Sequence, residues 1–230
     1  MASFITETNH TSDMINVAGS YRILRCCVNS VGYLSDPRLM PYLDAFGFRS
    51  TAMIRTFDLK YDLISNLVER WHPETHTFHL LCRECTITLE DVALRLRLPI
   101  DGSAITGVSI VSEPTALFYD LIGRSLVGGG DKFTSLIFSW LKANFEYLFS
   151  TATEQEVMCV ARAYIMHTIG GVHMPNPNNK VHLMYLSLLS DLYAARSYCW
   201  GSAVLATLYR KLFQTTKHYA VDIGRCLVLL

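Results

Sequence analysis

Apolar side chains recur at helical spacing through most of this 230-residue chain. Within residues 58–71, Leu59, Leu63 and Leu67 repeat every four residues, which places them on one face of a helix. Pro73 ends this helix, because proline lacks the amide hydrogen that another turn requires. Similar spacing predicts further helices over residues 133–149, 154–169, 181–195 and 200–213. We therefore expect a mainly α protein that forms a single helical domain.

The hydrophobic period changes over residues 76–89. Thr77, Phe78 and Ile87 lie in stretches rich in β-branched and aromatic residues, a composition that favours strands. These stretches predict one small β-hairpin near residues 76–89. Thr88 and Asp91 follow with the spacing of a capping box, in which Asp replaces the usual Glu or Gln, and this predicts that a helix begins there.

Two glycines predict the end of the helix at residues 154–169. Gly170 and Gly171 follow it directly, and glycine commonly ends helices because it tolerates left-handed backbone angles.

The charge balance bears on the kind of partner. Lysine plus arginine number 20 and aspartate plus glutamate number 20, so the formal net charge is zero. Proteins that hold nucleic acid mainly through phosphate contacts are usually basic. A nucleic-acid partner is therefore the weaker expectation, although a local basic patch stays open. No apolar run reaches the roughly 18 residues that a membrane span needs, so no membrane partner is expected.

The seven cysteines predict an intracellular protein with reduced thiols, since their number is odd and residues 1–13 do not resemble a signal peptide. His76, His79, Cys82 and Cys85 have the spacing H-x-x-H-x-x-C-x-x-C, and two histidines with two thiolates are a legitimate zinc set. Two arguments disfavour zinc. His76 and His79 would point to opposite faces of a strand, and the long insert usual between ligand pairs is missing.

No enzyme motif is present. Residues 123–128 begin like a phosphate-binding loop, but Gly129 and Gly130 occupy the places of the required lysine and hydroxyl residue. A nucleophile pair of Cys82 and His79 lacks an orienting group and an oxyanion hole. Glu90 and Asp91 are adjacent, so a helix separates their side chains, and the helix dipole explains both better than acid catalysis does. We expect no enzyme and no cofactor.

Three stretches of the chain carry a family resemblance. From Trp71 the sequence reads WHPETHTFHLLCRECTITLEDVA, from residue 161 it reads ARAYIMHTIGGVHMPNPNNKVHLMYLSLLSDL, and residues 198–206 read YCWGSAVLA. These stretches resemble the plant mobile domain, whose first block is usually close to WRPETHTFHLPCGECTITLEDVA. Leu81 and Arg83 stand where that family has proline and glycine. The resemblance covers about residues 35–230 and is identified chiefly by the long first block.

The resemblance implies a nuclear, non-enzymatic protein-interaction domain of the kind found in plant transposons and in proteins related to meristem maintenance. Its domesticated members act in transposon silencing, gene-expression control and meristem maintenance. It implies protein partners, among them a phosphatase-7-like protein. The alternatives are a transposon-encoded accessory protein that contacts nucleic acid, or an inactive truncated copy. We expect a poorly ordered segment at residues 1–34 and a plant mobile domain over residues 35–230 that is truncated at its C-terminus.

The first block supplies the candidate interaction residues. Trp71, Phe78, Leu80 and Leu89 are expected to build a platform, and Glu74, His76 and Glu84 to face a partner. The full set is Trp71, Pro73, Glu74, Thr75, His76, Phe78, Leu80, Glu84, Thr86, Leu89, Glu90 and Asp91.

Overall fold

The computed structural model describes residues 36–50, 61–106, 111, 113–125, 133–175, 178–215 and 229. The predicted poorly ordered segment 1–34 lies outside the described residues. Within them the protein is mainly α-helical, with small sheets of two or three strands. No helix in these ranges is both long and apolar enough to cross a membrane.

The helices are numbered here in chain order. They are α1 (Met40–Ala45), α2 (Tyr61–Glu69), α3 (Leu89–Leu96), α4 (Pro114–Ile122), α5 (Phe138–Phe145), α6 (Glu154–Thr168), α7 (Met184–Leu188), α8 (Leu192–Arg196) and α9 (Trp200–Thr215). A 3₁₀ helix, Pro37–Leu39, precedes α1, and a π-helical segment, Ile169–His173, follows α6.

Helix α6 is the central helix of the fold. It begins at a capping box, in which the Thr153 hydroxyl accepts from the Glu156 amide at 3.3 Å and the Glu156 carboxylate accepts from the Thr153 amide at 2.7 Å. Every residue from Cys159 to Thr168 is buried. Helices α1, α4, α5 and α7 all contact it. Because it is surrounded, this half of α6 carries apolar residues on all sides rather than on one face, with a few buried polar side chains among them.

Arg162 is the buried cation of this core, with 7% of its surface exposed. Its Nε donates to the Leu189 carbonyl at 2.9 Å, and its two Nη atoms donate to the carbonyls of Ser190 at 3.1 Å and Leu121 at 3.3 Å. These carbonyls lie at the ends of α7 and α4, where a helix leaves its last carbonyls without internal partners. Burial lowers the pKa of Arg162 from its ordinary value. One side chain thus donates hydrogen bonds to backbone carbonyls at the C-terminal ends of two helices.

Three helix predictions are wrong in extent because strands replace helical turns. The helix predicted to reach residue 71 ends at Glu69, since Trp71 and His72 form a strand. Residues 135–137 form strand β5 (Ser135–Ile137), so α5 begins only at Phe138. Residues 180–182 form β6 (Lys180–His182), and α7 and α8 follow as separate short helices. The two strands pair antiparallel, with Leu136 opposite Val181. This long-range pairing overrides the local helical spacing.

The predicted helix end at Gly170 and Gly171 is also wrong, because the π-helical segment continues through both glycines to His173. A Cβ on Gly170 would lie 2.7 Å from the Val181 Cβ and 2.9 Å from the Phe138 ring. This glycine therefore allows close approach of the backbone to β6 rather than ending the helix.

The remaining strands form two further sheets. Strands β1 (Trp71–His72), β2 (Thr77–His79) and β3 (Glu84–Cys85) make an antiparallel sheet in that order. Strands β4 (Ser103–Ala104) and β7 (Tyr198–Cys199) pair in parallel. The prediction of a single hairpin is therefore incomplete. Strand β1 extends that hairpin to three strands, and residues distant in sequence form two further pairs of strands. Helix α9 packs against α3, which follows the three-stranded sheet.

Candidate functional site: the three-stranded sheet and its turns

The register of the three-stranded sheet separates the first sequence block into two faces. Trp71 lies opposite Phe78, and Phe78 lies opposite Cys85. Side chains alternate along a strand, so His79 and its cross-strand partner Glu84 belong to the other face. The face with Trp71 is turned toward the core and is called the inner face below.

The inner face is anchored by an aromatic pair. Trp71 and Phe78 are each 3% exposed, and their ring centroids lie 4.8 Å apart. The Tyr209 ring of α9 lies 5.4 Å from the Trp71 ring. Among the described residues, the Trp71 indole N–H has no hydrogen-bond acceptor. The indole therefore contributes to the fold through packing and buried apolar area.

Tyr209 ties the turn between β1 and β2 to α9. Its ring stacks on the His76 ring at 5.0 Å with an interplanar angle of 10°. Its hydroxyl donates to the Ile87 carbonyl and lies 3.0 Å from the Thr86 hydroxyl, which donates to the His76 carbonyl. His76 has a φ of 53°, in the left-handed region that a non-glycine residue adopts only when its surroundings hold it. Sequence reasoning missed Tyr209, because no local pattern relates it to residues more than 120 positions earlier.

The outer face carries a connected row of polar side chains. The rings of His72 and His79 stack at 3.7 Å with an interplanar angle of 14°. The His79 Nε2 atom lies 3.1 Å from the Thr77 hydroxyl and 3.7 Å from a carboxylate oxygen of Glu84. The Thr77 hydroxyl in turn lies 2.7 Å from that of Thr75. These contacts hold the outer face in one arrangement.

The four weak metal candidates are not brought together. His76 stacks on Tyr209 at the turn, whereas His79 stacks on His72 on the outer face. Cys82 is exposed, and Cys85 lies opposite Phe78. No group of three or more His, Cys, Asp or Glu side chains in the described residues is placed to hold a metal ion.

The first sequence block, residues 71–91, is acidic. Residues 71–91 contain four carboxylates and one arginine, a formal charge of −3 with histidine neutral. The side chains of Glu74, Glu84 and Glu90 are exposed. Asp91 instead completes the predicted capping box of α3, which is confirmed, and its carboxylate accepts from the Thr88 amide at 2.8 Å. This backbone bond, reinforced by one from the Thr88 hydroxyl, lowers the pKa of Asp91.

The predicted platform is smaller than expected. Leu80 and Leu89 are half-buried, unlike the fully buried Trp71 and Phe78. Pro73 is half-buried in the turn after β1, and the remaining candidates Thr75, His76 and Thr86 are exposed. The residues expected to face a partner, Glu74, His76 and Glu84, all reach the surface.

The chain matches known sequences over most of its length. A family model described as "Plant mobile domain" matches residues 47–230. The chain is 37% identical over 232 residues to "Protein MAINTENANCE OF MERISTEMS" of Arabidopsis thaliana, covering 97% of the chain. It is 36% identical over 195 residues to "Protein MAIN-LIKE 2" and 38% identical over 197 residues to "Serine/threonine-protein phosphatase 7 long form homolog" of the same plant, covering 84% and 85% of the chain.

These relatives are much longer than the matched region. The aligned part is 48%, 29% and 15% of their respective lengths, so the chain spans less than half of each. No solved structure matches the chain.

Proposed function

Because this chain belongs to the plant mobile domain family, we propose that it is a non-enzymatic protein-interaction domain of the nucleus. Its proposed roles are transposon silencing, gene-expression control and meristem maintenance. The name of one relative refers to the maintenance of meristems, and this name supports the proposed role in meristem maintenance.

One observation about the three-stranded sheet carries the proposal. Its inner face is fixed in the core by Trp71 and Phe78, while Glu74, His76 and Glu84 of the same sheet and its turns remain exposed. A surface held rigidly before binding loses little conformational entropy when a partner docks. The segment therefore combines a fixed scaffold with exposed polar side chains.

The charge of this surface indicates the chemistry of its partner. Residues 71–91 carry three exposed glutamates and a single arginine, Arg83, so this segment is acidic on a chain with no net charge. Complementary charge steers association and rejects wrong partners. We propose a protein partner with a basic contact surface, for which a phosphatase-7-like protein is the first candidate.

Affinity purification from plant nuclei tests the proposal. The bait is the chain, and the variant combines Glu74→Lys with Glu84→Lys. The control combines Glu113→Lys with Asp120→Lys, which reverses two exposed carboxylates on or beside α4, away from the sheet. Partners quantified by mass spectrometry should be lost with the sheet variant and kept with the control. Equal recovery with both variants would contradict the proposal, provided that circular dichroism shows both to be folded.

A basic patch shared by Arg95, Arg97 and the residues near Arg210 would favour the nucleic-acid alternative. Arg97 lines a cavity of about 420 Å³ with two more arginines and with Asp44 and Asp101, so two carboxylates offset part of the positive charge there. Arg210 lines a different cavity. The lining of different cavities by Arg97 and Arg210 supports the protein-interaction proposal. In the same experiment, recovery of nucleic acid would favour the transposon-encoded accessory protein. Recovery of chaperones alone would favour the inactive truncated copy.

A further inference from the structure

A second cavity lies on a part of the fold that the three-stranded sheet does not reach. It has a volume of about 370 Å³ and is lined by the π-helical segment and the residues after it, β6, α7 and α9. This volume is at the lower end of the range of small-molecule sites. Gly170 is part of the lining, and its missing side chain leaves the π-helical segment close to β6. Single π-helical turns inside helices occur frequently at functional sites.

The lining of this cavity has charge of one sign. Lys180, Arg210 and Lys211 are three of its ten residues, although lysine and arginine make up only 20 of 230 residues in the chain. None of the ten is aspartate or glutamate, in contrast to the cavity beside Arg97. Within the described part of the chain, no carboxylate lies within 4.0 Å of these three cationic groups. A bound anion would supply the negative charge that the lining lacks.

Further donors lie among these cations. His182 Nδ1 accepts from the Met184 amide at 3.2 Å, which places the proton of the neutral ring on Nε2 and makes that atom a donor. Among the described residues, the Tyr185 hydroxyl has only the Met174 sulfur as acceptor, at 3.5 Å, and sulfur accepts weakly. Burial raises the pKa of Tyr185 and the positive charge of Arg210 opposes that rise, which places the guanidinium within electrostatic range of the phenol.

We propose that this cavity binds a small organic phosphate through its phosphate monoester group. A dianionic phosphate needs several cations and directed donors, which Lys180, Arg210, Lys211 and His182 provide together. Met174 and Val181 add apolar lining for the organic portion. Tracks for single-stranded nucleic acid instead carry successive aromatic side chains for base stacking. Here Tyr185 is the one Phe, Tyr or Trp side chain of the ten lining residues, which favours a small ligand over a strand.

Isothermal titration calorimetry on the full chain tests the proposal. The probes are inorganic phosphate, a ribonucleoside 5′-monophosphate and the same nucleoside without phosphate. The monophosphate should bind more tightly than inorganic phosphate, and the nucleoside should not bind. Arg210→Gln and Lys180→Gln should each weaken monophosphate binding about tenfold, the effect of losing one charge-assisted hydrogen bond. Arg196→Gln, which alters the mixed-charge cavity, should leave binding unchanged.

Three outcomes would overturn the proposal. These are failure of the monophosphate to bind the folded wild-type chain, binding of the monophosphate by both cavity variants as tightly as by the wild type, and equally tight binding of the nucleoside alone. A single-stranded oligonucleotide that binds more tightly than the monophosphate, and loses affinity in the same variants, would assign the cavity to a nucleic-acid strand instead. Circular dichroism of each variant separates lost binding from lost folding.

Discussion

Replacing Arg162 with methionine tests the account of the core around α6. Methionine keeps an unbranched apolar stem but removes all the hydrogen-bond donors to the carbonyls of Leu189, Ser190 and Leu121. A hydrogen bond to a charged group contributes about 1.5–3 kcal/mol, and a buried carbonyl left without a donor costs about 1–3 kcal/mol. Removal of the buried charge offsets part of this loss. Three carbonyls without donors cost about 3–9 kcal/mol together, and with the offset from the removed charge the free energy of unfolding should fall by about 3–5 kcal/mol.

Arg38 provides the matched control, because it also donates to three backbone carbonyls. Its Nη atoms contact the carbonyls of Leu148, Phe149 and Ser150, and its guanidinium forms an ion pair with Asp36 at 2.8 Å, but its side chain is 37% exposed. An exposed ion pair contributes only about 0–1 kcal/mol. Water can replace those donors, so Arg38→Met should destabilise much less than Arg162→Met. Urea unfolding followed by circular dichroism measures both. A loss below about 1 kcal/mol for Arg162→Met, or one no larger than for Arg38→Met, would refute this reasoning.

Three further predictions concern single contacts, each measured by urea unfolding. Trp71→Ala should cost about 3–5 kcal/mol, whereas Trp71→Phe should cost clearly less because the indole N–H has no acceptor among the described residues; equal losses would contradict the packing account. Asp91→Asn should cost about 1 kcal/mol. Folding lowers the Asp91 pKa below 3.8, so the stabilisation from its carboxylate is complete above pH 3.8 and is lost as the pH falls through the folded pKa. An Asp91→Asn variant that loses as much stability in acid as the wild type does would refute this. Gly201→Ala should cost about 1–3 kcal/mol, because its Cβ would lie 2.8 Å from the Ile100 side chain, and an unchanged stability would show that the core relaxes.

Local patterns predicted the features that depend on neighbours in sequence. The capping box of Thr88 and Asp91 needs only two side chains three residues apart, and the structure shows it. The prediction that α6 begins at Glu154 is likewise confirmed, with Thr153 as its cap. Both depend on hydrogen bonds that close within one helical turn.

The incorrect predictions concern features that depend on contacts between residues distant in sequence. Leu136 and Ile137 fit a helical pattern locally, yet they form a strand because residues 180–182 pair with them. Gly170 fits a helix end, yet its role is close packing against Val181. At the candidate site, the sequence block identified Trp71 and His76 but not the Tyr209 ring that contacts both. Nothing within a local window encodes that contact.

Photocrosslinking from the three-stranded sheet tests the central claim most directly. A photoreactive amino acid is placed at position 75, in the exposed turn after β1 and beside Glu74, and at position 113, beside α4, as the control. Each chain is incubated with plant nuclear extract and irradiated, and the products are identified by mass spectrometry. The proposed function predicts one specific protein adduct from position 75 that is absent from position 113 and is suppressed by Glu84→Lys. Adducts that are equal from both positions, or that persist with Glu84→Lys, would contradict the assignment of this surface to a protein partner.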